Sequence, residues 1–291
     1  MNSNVSRTLL VTLLGAFARR TEDWMPVKGI VTLLDALDVD ESSVRTGVSR
    51  LKSRGWLVPE KRDDRNGYRL TEVAKASLAS GDEVIWHARQ PALMEDGWCI
   101  ATFSVPEELR AKRHRLRGRL LALGFGNLGQ GVWIAPARMT AEAIDLVDEL
   151  ELRDNTTVLV GQHVGGQELS RMVRESWDLD AIDEGYRTFI GRHHAALEGL
   201  ERAHPDDVPP RDAFTLYMRA LDDWRVLPMR DPGLPPELLP GDWSGRRAVQ
   251  LIEQIVTRLE PAALAYVRGV VSGGDRKATA VRGSGAAAAL R

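Results

Sequence analysis

The sequence predicts a multidomain protein of the α+β class. Three helical periods of apolar residues and a pair of short strands occupy residues 5–80, whereas residues 97–165 alternate strands with helices. From residue 175 to residue 270 the apolar residues recur at helical spacing. These patterns predict an N-terminal domain (1–80), a linker (81–96), a central domain (97–170), a wholly helical C-terminal domain (171–271) and a tail (272–291) whose glycine and alanine content indicates disorder.

The N-terminal domain is predicted to be a winged helix-turn-helix. An apolar stripe that ends at Phe17 defines its first helix, and Pro26 begins the second. Asp40 is the expected N-cap of the third helix, and Gly55 ends that helix. A hairpin follows, and we expect its turn at Asn66–Gly67 because these residues favour positive φ. A polar helix completes the domain.

The central domain is predicted to have the ferredoxin-like order β-α-β-β-α-β. Its first strand, "GWCIATFSV", is followed by a helix that we expect to begin with a capping box of Ser104 and Glu107 and to end near Leu123. A short strand near Asn127 and the strand "GVWIA" precede a second helix, which begins near Thr140, and "TTVLVGQHV" is the last strand. Short strands and tight turns predict one small sheet with both helices on one face.

Composition and motifs exclude several classes of protein. Hydrophobic residues make up 43% and charged residues 27% of the chain, a globular balance, and no apolar run approaches the roughly 20 residues that span a bilayer. The single cysteine, Cys99, excludes an intramolecular disulfide or a cysteine zinc site and suits a reducing cytoplasm. Nucleotide-binding glycine loops and hydrolase motifs are missing, and His193–His194 have no second ligand pair. We expect a cytoplasmic protein that is not an enzyme and uses no metal or cofactor.

The third helix and the hairpin carry the strongest indication of a ligand. Between Ser43 and Arg69 there are eight Lys or Arg residues against three acidic ones, although the whole chain has a net charge of −2. Such an excess suits phosphate contact, and small hydroxyl residues let a helix lie deep in the major groove. The predicted DNA-contacting residues are Ser42, Ser43, Arg45, Thr46, Ser49, Arg50 and Lys52 in the helix and Lys61, Arg62, Arg65 and Arg69 in the hairpin. The alternative is a protein-interaction module with a solvated helix face.

Two further groups of residues suggest a small-molecule effector. The helix after Ser104 is rich in arginine, and Arg113 and Arg117 are candidates to hold the phosphates of a ligand such as coenzyme A, although the helix could instead contact DNA beside the winged helix. The alternative for this helix is a solvated face paired with the acidic run Asp145–Glu151. Candidates for an aromatic pocket in the C-terminal region are Trp177, Tyr186, Tyr217, Trp224 and Trp243, together with Arg230. Core packing is the alternative for the aromatic residues.

Three long segments give the chain a family resemblance. They are "SSVRTGVSRLKSRGWL", "WCIATFSVPEELRAKRHRLRGRLLALGFGNLGQGVWIAP" and "RVLPMRDPGLPPELLPGDWSGRRAVQL". From about Arg7 to Val267 the chain resembles the PaaX-like repressors of phenylacetic acid degradation. The resemblance implies a winged N-terminal domain, a ferredoxin-like central domain, a helical C-terminal domain, and a recognition helix that contains Ser42 to Lys52. It also implies release from the operator by an aryl-coenzyme A thioester such as phenylacetyl-coenzyme A.

We therefore hypothesise a homodimeric, operator-binding repressor of an aromatic-acid catabolic operon that does not act at a membrane. The central domain also resembles a small CRISPR-associated nuclease, which uses an aspartate at the end of its first strand. Here that strand ends Phe103–Ser104–Val105 and offers no carboxylate for a metal ion, which argues against a nuclease. An interaction adaptor that does not bind DNA is the other alternative.

Overall fold

The computed structural model describes residues 3–87, 90–202 and 208–273. The helices are α1 (Ser3–Phe17), α2 (Val27–Asp35), α3 (Glu41–Ser53), α4 (Glu72–His87), α5 (Arg110–Ala122), α6 (Thr140–Glu149), α7 (Leu169–Ser176), α8 (Leu179–Arg202), α9 (Pro210–Trp224) and α10 (Gly245–Ser272). The strands are β1 (Trp24–Pro26), β2 (Leu57–Arg62), β3 (Arg65–Leu70), β4 (Trp98–Phe103), β5 (Gly126–Gly129), β6 (Val132–Pro136) and β7 (Thr156–Gly161). From residue 274 on, the predicted disordered tail lies outside the described residues.

The chain is a helix-rich α+β protein with two antiparallel sheets, and its described residues form two compact units. The first unit combines residues of 1–78, 200–222 and 255–291, and the second combines residues of 79–199 and 223–254. The C-terminal helical region therefore contributes residues to both units. The sequence analysis instead predicted that this region forms a domain of its own. Helix α4 also continues through residues 81–87, where a linker was expected.

In the first unit, the apolar face of α1 that ends at Phe17 is buried in the core. Phe17 is fully buried, and its ring lies 5.9 Å from that of Phe214 and 5.6 Å from that of Tyr217, both on α9. Helix α3 approaches α1 closely at Gly47, where an added Cβ would lie 3.0 Å from the side chain of Leu10. The predicted caps of α3 are confirmed, since Asp40 accepts from the Ser43 amide and Gly55 has a φ of +72°.

The predicted position of the hairpin turn is wrong. The strands are joined at Asp63–Asp64, with φ values of 47° and 60°, and Asn66 and Gly67 belong to β3. Both central residues of this two-residue turn take positive φ, which aspartate tolerates better than most residues. Gly67 is needed in the strand because a Cβ there would lie 2.5 Å from the Trp24 ring and 2.6 Å from the Met25 carbonyl oxygen.

The first sheet has a third strand that the sequence analysis did not predict. Trp24–Pro26 pairs with β3, and the sheet order is β1-β3-β2. Pro26 does not open the helix but is its N-cap, and as the last residue of an edge strand it needs no amide hydrogen. Three residues are too short to show a period of two, so this strand has no signal of its own.

In the second unit the strands follow the order β5-β6-β4-β7, and all their pairings are antiparallel. Leu116 and Leu120 of α5 and Leu146 of α6 pack with Cys99 and Phe103 of β4, so both helices cover one face of the sheet. The capping box of Ser104 and Glu107 is wrong: the segment from Glu107 to Leu109 is a 3₁₀ turn without a side-chain cap. The Glu107 carboxylate bonds Arg113 at 2.7 Å, and the Ser104 amide donates to Asn155.

The C-terminal helices are joined by the long proline-rich segment that the sequence predicts. Residues 225–244 contain one 3₁₀ turn, Pro236–Leu238, before α10 begins. Within the described ranges no helix combines the length and apolarity required to cross a membrane.

Candidate nucleic-acid interface

Helix α3 has a buried face and an exposed face. Val44, Gly47, Val48 and Leu51 are buried. The exposed residues are Ser42, Arg45, Thr46, Ser49, Arg50, Lys52 and Ser53, whereas Ser43 is half-buried. The amphipathic pattern thus turns a polar, cationic surface to the solvent.

The two serines at the start of α3 serve its N-terminal cap. The hydroxyls of Ser42 and Ser43 donate to the Asp40 carboxylate at 2.6 and 2.7 Å, and the Ser43 amide donates at 2.9 Å. These donors, led by the Ser42 hydroxyl, hold the pKa of Asp40 well below its usual range. The two hydroxyls retain only lone pairs for an outside ligand.

Positive charge without an internal partner collects at the end of α3. Arg45 bonds Glu41 at 2.9 Å through Nε, and Lys52 lies 5.7 Å from the centre of the Tyr68 ring. Arg50 and Arg54 are exposed, and neither forms an ion pair with a residue that the structure describes. An arginine without a carboxylate partner binds phosphate or a guanine edge without first losing an internal bond.

The arginines of the hairpin, by contrast, are engaged inside the protein. Arg62 and Arg69 donate from Nε to the two oxygens of Glu60, at 2.5 and 2.6 Å, and the pKa of Glu60 is lowered, chiefly by the bond from Arg62. Arg65 donates to the Val271 carbonyl oxygen, and its guanidinium lies 5.4 Å from the Trp24 ring centre. The remaining predicted cation, Lys61, bonds Asp64 at 2.8 Å, and both side chains are well exposed.

The strand register brings two unpredicted residues to the side of the hairpin that faces α3. Lys61 pairs with Asn66, and Pro59 pairs with Tyr68. Tyr68, α2 and α3 together form a groove of about 230 Å³, whose lining includes Arg45, Ser49 and Lys52. Because side chains alternate along β3, Asn66 and Tyr68 lie on the same face as Leu70. The sequence analysis could not assign Asn66 to that face, because it placed this residue in the turn.

The structure brings together three of the six C-terminal effector candidates. The Tyr186 ring lies 6.2 Å from that of Trp224 and 5.9 Å from that of Trp243. Trp177 packs on Trp98 at 6.3 Å. Tyr217 belongs to the core of the first unit.

Tyr186 and Trp243 line a cavity of about 150 Å³ in the second unit. Its other walls include Leu234, Leu239 and the proline-rich segment, and Arg246 also lines it. The Tyr186 hydroxyl donates to the Asp231 carboxylate at 2.6 Å. Burial raises the pKa of Asp231 and the pKa of Tyr186.

The cationic effector candidates do not line this cavity. Arg113 bonds Glu107 and the Val105 carbonyl oxygen, whereas Arg117 is exposed on α5. Arg230 borders a shallow groove beside Arg192. Two other cations of α5 pair with the acidic run, Lys112 with Glu151 at 2.7 Å and Arg119 with Glu149 at 3.0 Å, as the solvated-face alternative predicts.

Three family models match successive parts of the chain. The PaaX-like protein model matches residues 5–74, the PaaX protein central Cas2-like domain matches residues 91–173, and the PaaX-like protein C-terminal domain matches residues 177–269. The first segment contains the three-stranded sheet with α2 and α3, the second contains the four-stranded sheet with α5 and α6, and the third contains α8 and α9.

Two individual proteins are similar over most of the chain. Rv0674, an uncharacterized protein from Mycobacterium tuberculosis, has a TM-score of 0.56 at 22% identity, covering 89% of this chain and 97% of that one, so the likeness shows a common fold. The transcriptional repressor PaaX of Escherichia coli is 30% identical over 262 residues, which are 88% of this chain and 81% of the relative. The chain therefore belongs to the PaaX family.

Proposed function

We propose that this chain is a transcriptional repressor that binds operator DNA through a winged helix-turn-helix, with α3 as its recognition helix. The order of three helices and a hairpin supports the winged assignment, and the order β5-β6-β4-β7 supports a ferredoxin-like central domain. The repressor function of the Escherichia coli relative supports the same role here.

One observation carries the proposal: the exposed face of α3 ends in arginines that have no carboxylate partner among the described residues. Arg50 would contact a guanine edge or a phosphate in the major groove, and the hydroxyls of Thr46 and Ser49 lie on the same exposed face. Phosphate contact would make the affinity depend on salt concentration.

The experiment is a titration of a labelled duplex that carries the promoter upstream of the protein's own gene, with a shuffled duplex as the control. Arg50→Ala should weaken promoter binding by about 1–3 kcal/mol if Arg50 contacts a base. Arg115→Ala removes an exposed arginine from α5 and should leave the affinity unchanged. If the wild-type protein binds no duplex at low salt, the chain is not an operator-binding repressor.

The effector of this proposed repressor is an aryl-coenzyme A thioester formed in aromatic-acid catabolism, as the family resemblance implies. An apolar cavity of about 150 Å³ accommodates benzene in another protein, so the cavity beside Trp243 has the size for a phenyl ring. The Asp231 carboxyl group in its wall would repel a free aryl carboxylate when ionised, whereas a thioester brings no charge into the cavity. The coenzyme A part would lie outside, where Arg246 can meet its phosphates.

A thermal-shift comparison tests the effector. Phenylacetyl-coenzyme A should raise the melting temperature, because a ligand that binds the native state stabilises it. Phenylacetate should not, because the Asp231 carboxylate would repel it, and free coenzyme A should not, because it lacks the phenyl ring that fills the cavity. Trp243→Ala should abolish the shift. An equal shift with phenylacetate would contradict the thioester preference.

We also propose that the repressor is a cytoplasmic homodimer on an imperfect palindrome, with half-sites about one helical turn or a multiple apart. The outer edge of β7 pairs with no strand in the described part of the chain, and Leu159 and Val160 are 55% and 57% exposed there. An uncharged, apolar edge strand is suited to self-association. Light scattering of the purified protein tests the dimer, and a monomeric mass at micromolar concentration would contradict it.

A further inference from the structure

We infer that the wing, the hairpin of β2 and β3, meets DNA with the face that carries Lys61, Asn66 and Tyr68, while Arg62, Arg65 and Arg69 hold the wing itself together. The inference rests on the proposed operator binding and assigns the side of the hairpin that lies against the duplex. It differs from the sequence-based prediction, in which the arginines of the hairpin were also expected to contact DNA.

The strand register separates the two sets of residues. Residues directly opposite each other in an antiparallel pair share a face, and successive residues of a strand alternate between faces. Arg62 pairs with Arg65, and Arg69 pairs with Val58 and with Trp24, so the three arginines share a face with the tryptophan. Lys61, Asn66 and Tyr68 occupy the opposite face together with the buried Leu57 and Leu70.

The arginines are occupied by contacts that the wing needs. The guanidinium groups of Arg62 and Arg65 each lie 5.4 Å from the Trp24 ring centre, and the Trp24 residue is only 3% exposed. Arg62 and Arg69 together satisfy the Glu60 carboxylate. If these side chains moved to a phosphate, the Trp24 indole would be exposed. The Glu60 carboxylate would then lie beside the DNA without its two arginine partners.

The opposite face lies beside α3, and Lys61 and Asn66 on it are exposed. Lys52 of α3 lies over the Tyr68 ring, so this side of the wing adjoins the recognition helix. The only ion pair of Lys61 among the described residues is with Asp64, which is 96% exposed, and such a surface pair contributes too little to resist exchange for a phosphate. Asn66 is exposed, and its amide can both donate to and accept from a base edge.

The test compares two variants that remove one positive charge each from the same hairpin, Lys61→Gln and Arg69→Gln. Affinities for the promoter duplex and the shuffled duplex are measured by anisotropy at several salt concentrations and corrected for the active fraction by stoichiometric titration. Lys61→Gln should reduce the slope of log K against log[salt] by about 0.9, the value for one phosphate contact. Arg69→Gln should leave the slope unchanged and lower the melting temperature.

Asn66→Ala supplies an independent measurement. It should weaken promoter binding about tenfold while leaving shuffled-duplex binding unchanged, because a base contact discriminates between sequences. Two results would contradict this inference while leaving the repressor proposal in place, provided that the wild type binds the promoter. In the first, Arg69→Gln reduces the slope of log K against log[salt] and Lys61→Gln does not. In the second, Lys61→Gln and Asn66→Ala both bind like the wild type. If the wild type binds neither duplex, the repressor proposal itself has failed.

Discussion

Replacement of Gly67 by alanine should destabilise the first unit although the residue lies in a solvent-accessible hairpin. The added Cβ would lie 2.5 Å from two carbons of the Trp24 ring and 2.6 Å from the Met25 carbonyl oxygen. Distances this short cannot persist, and the obstacle includes backbone that belongs to β1. Either β1 separates from β3, which pairs with it at Trp24, Met25 and Pro26, or the indole leaves its site under the arginines.

The magnitude follows from overpacking, which costs about 1–3 kcal/mol when a buried neighbour must move. Gly269→Ala is the matched control in the same unit: it is a helical glycine of α10, and its Cβ would meet nothing within 4 Å. That variant should gain about 0.5–1 kcal/mol from the removal of glycine's backbone entropy. The two alanine substitutions should therefore shift stability in opposite directions.

Urea unfolding, followed by tryptophan fluorescence and by circular dichroism, measures both variants. Because the chain has two compact units, we expect two unfolding transitions and fit each of them separately. The stability change caused by Gly67→Ala is sought in the transition whose midpoint Gly269→Ala also shifts. Equal stability of Gly67→Ala and the wild type would refute the account of why this glycine lies in β3 rather than in the turn.

Three further outcomes are expected. Phe17→Ala should destabilise the first unit by about 3–5 kcal/mol, because the fully buried ring contacts Phe214 and Tyr217; urea unfolding measures this, and a cost below 1 kcal/mol would contradict the position of the ring. Gly233→Ala should cost about 1–2 kcal/mol for its φ of +62° and should also displace Arg138, whose guanidinium occupies the site of the new methyl group; an unchanged unfolding midpoint would refute both points. Because burial raises the pKa of Asp231 in the folded chain, the native state binds this proton more tightly than the unfolded state does. The stability that Asp231 contributes should then fall as the pH rises from the unfolded pKa near 3.8 through the raised folded pKa, and Asp231→Asn should remove this dependence. Wild-type and Asp231→Asn unfolding curves that stay parallel across that pH window would exclude the effect.

The helices were predictable because their signals are local. The apolar stripe of α1 and the cap at Asp40 depend on neighbours a few residues away, and both are present in the structure. The hairpin turn was not predictable in the same way. Asn66–Gly67 is the stronger local turn signal, but the position of Gly67 is decided by Trp24, a residue of a strand that pairs from 43 positions away in the chain.

The candidate site shows the same division between local and non-local information. The exposed face of α3 follows from helical period alone, so the sequence identifies Arg50 and its neighbours. The partners of the hairpin arginines depend on which residues face each other across strands, and a one-residue shift in the turn reverses those faces. Tyr186 and Tyr217 look alike in the sequence, yet Tyr186 lines a cavity whereas Tyr217 packs in the core against Phe17.

The contacts of Phe17 and Arg65 bear on how the protein is made in the cell. Phe17 needs aromatic partners from α9, and Arg65 needs a carbonyl oxygen near the end of α10, more than 190 residues further along. A nascent chain that has emerged only to residue 80 would present that ring to water and leave the wing unanchored. The segment proposed to recognise the operator would thus reach its final form only after α9 and α10 have left the ribosome, and fragments restricted to it should fold poorly on their own.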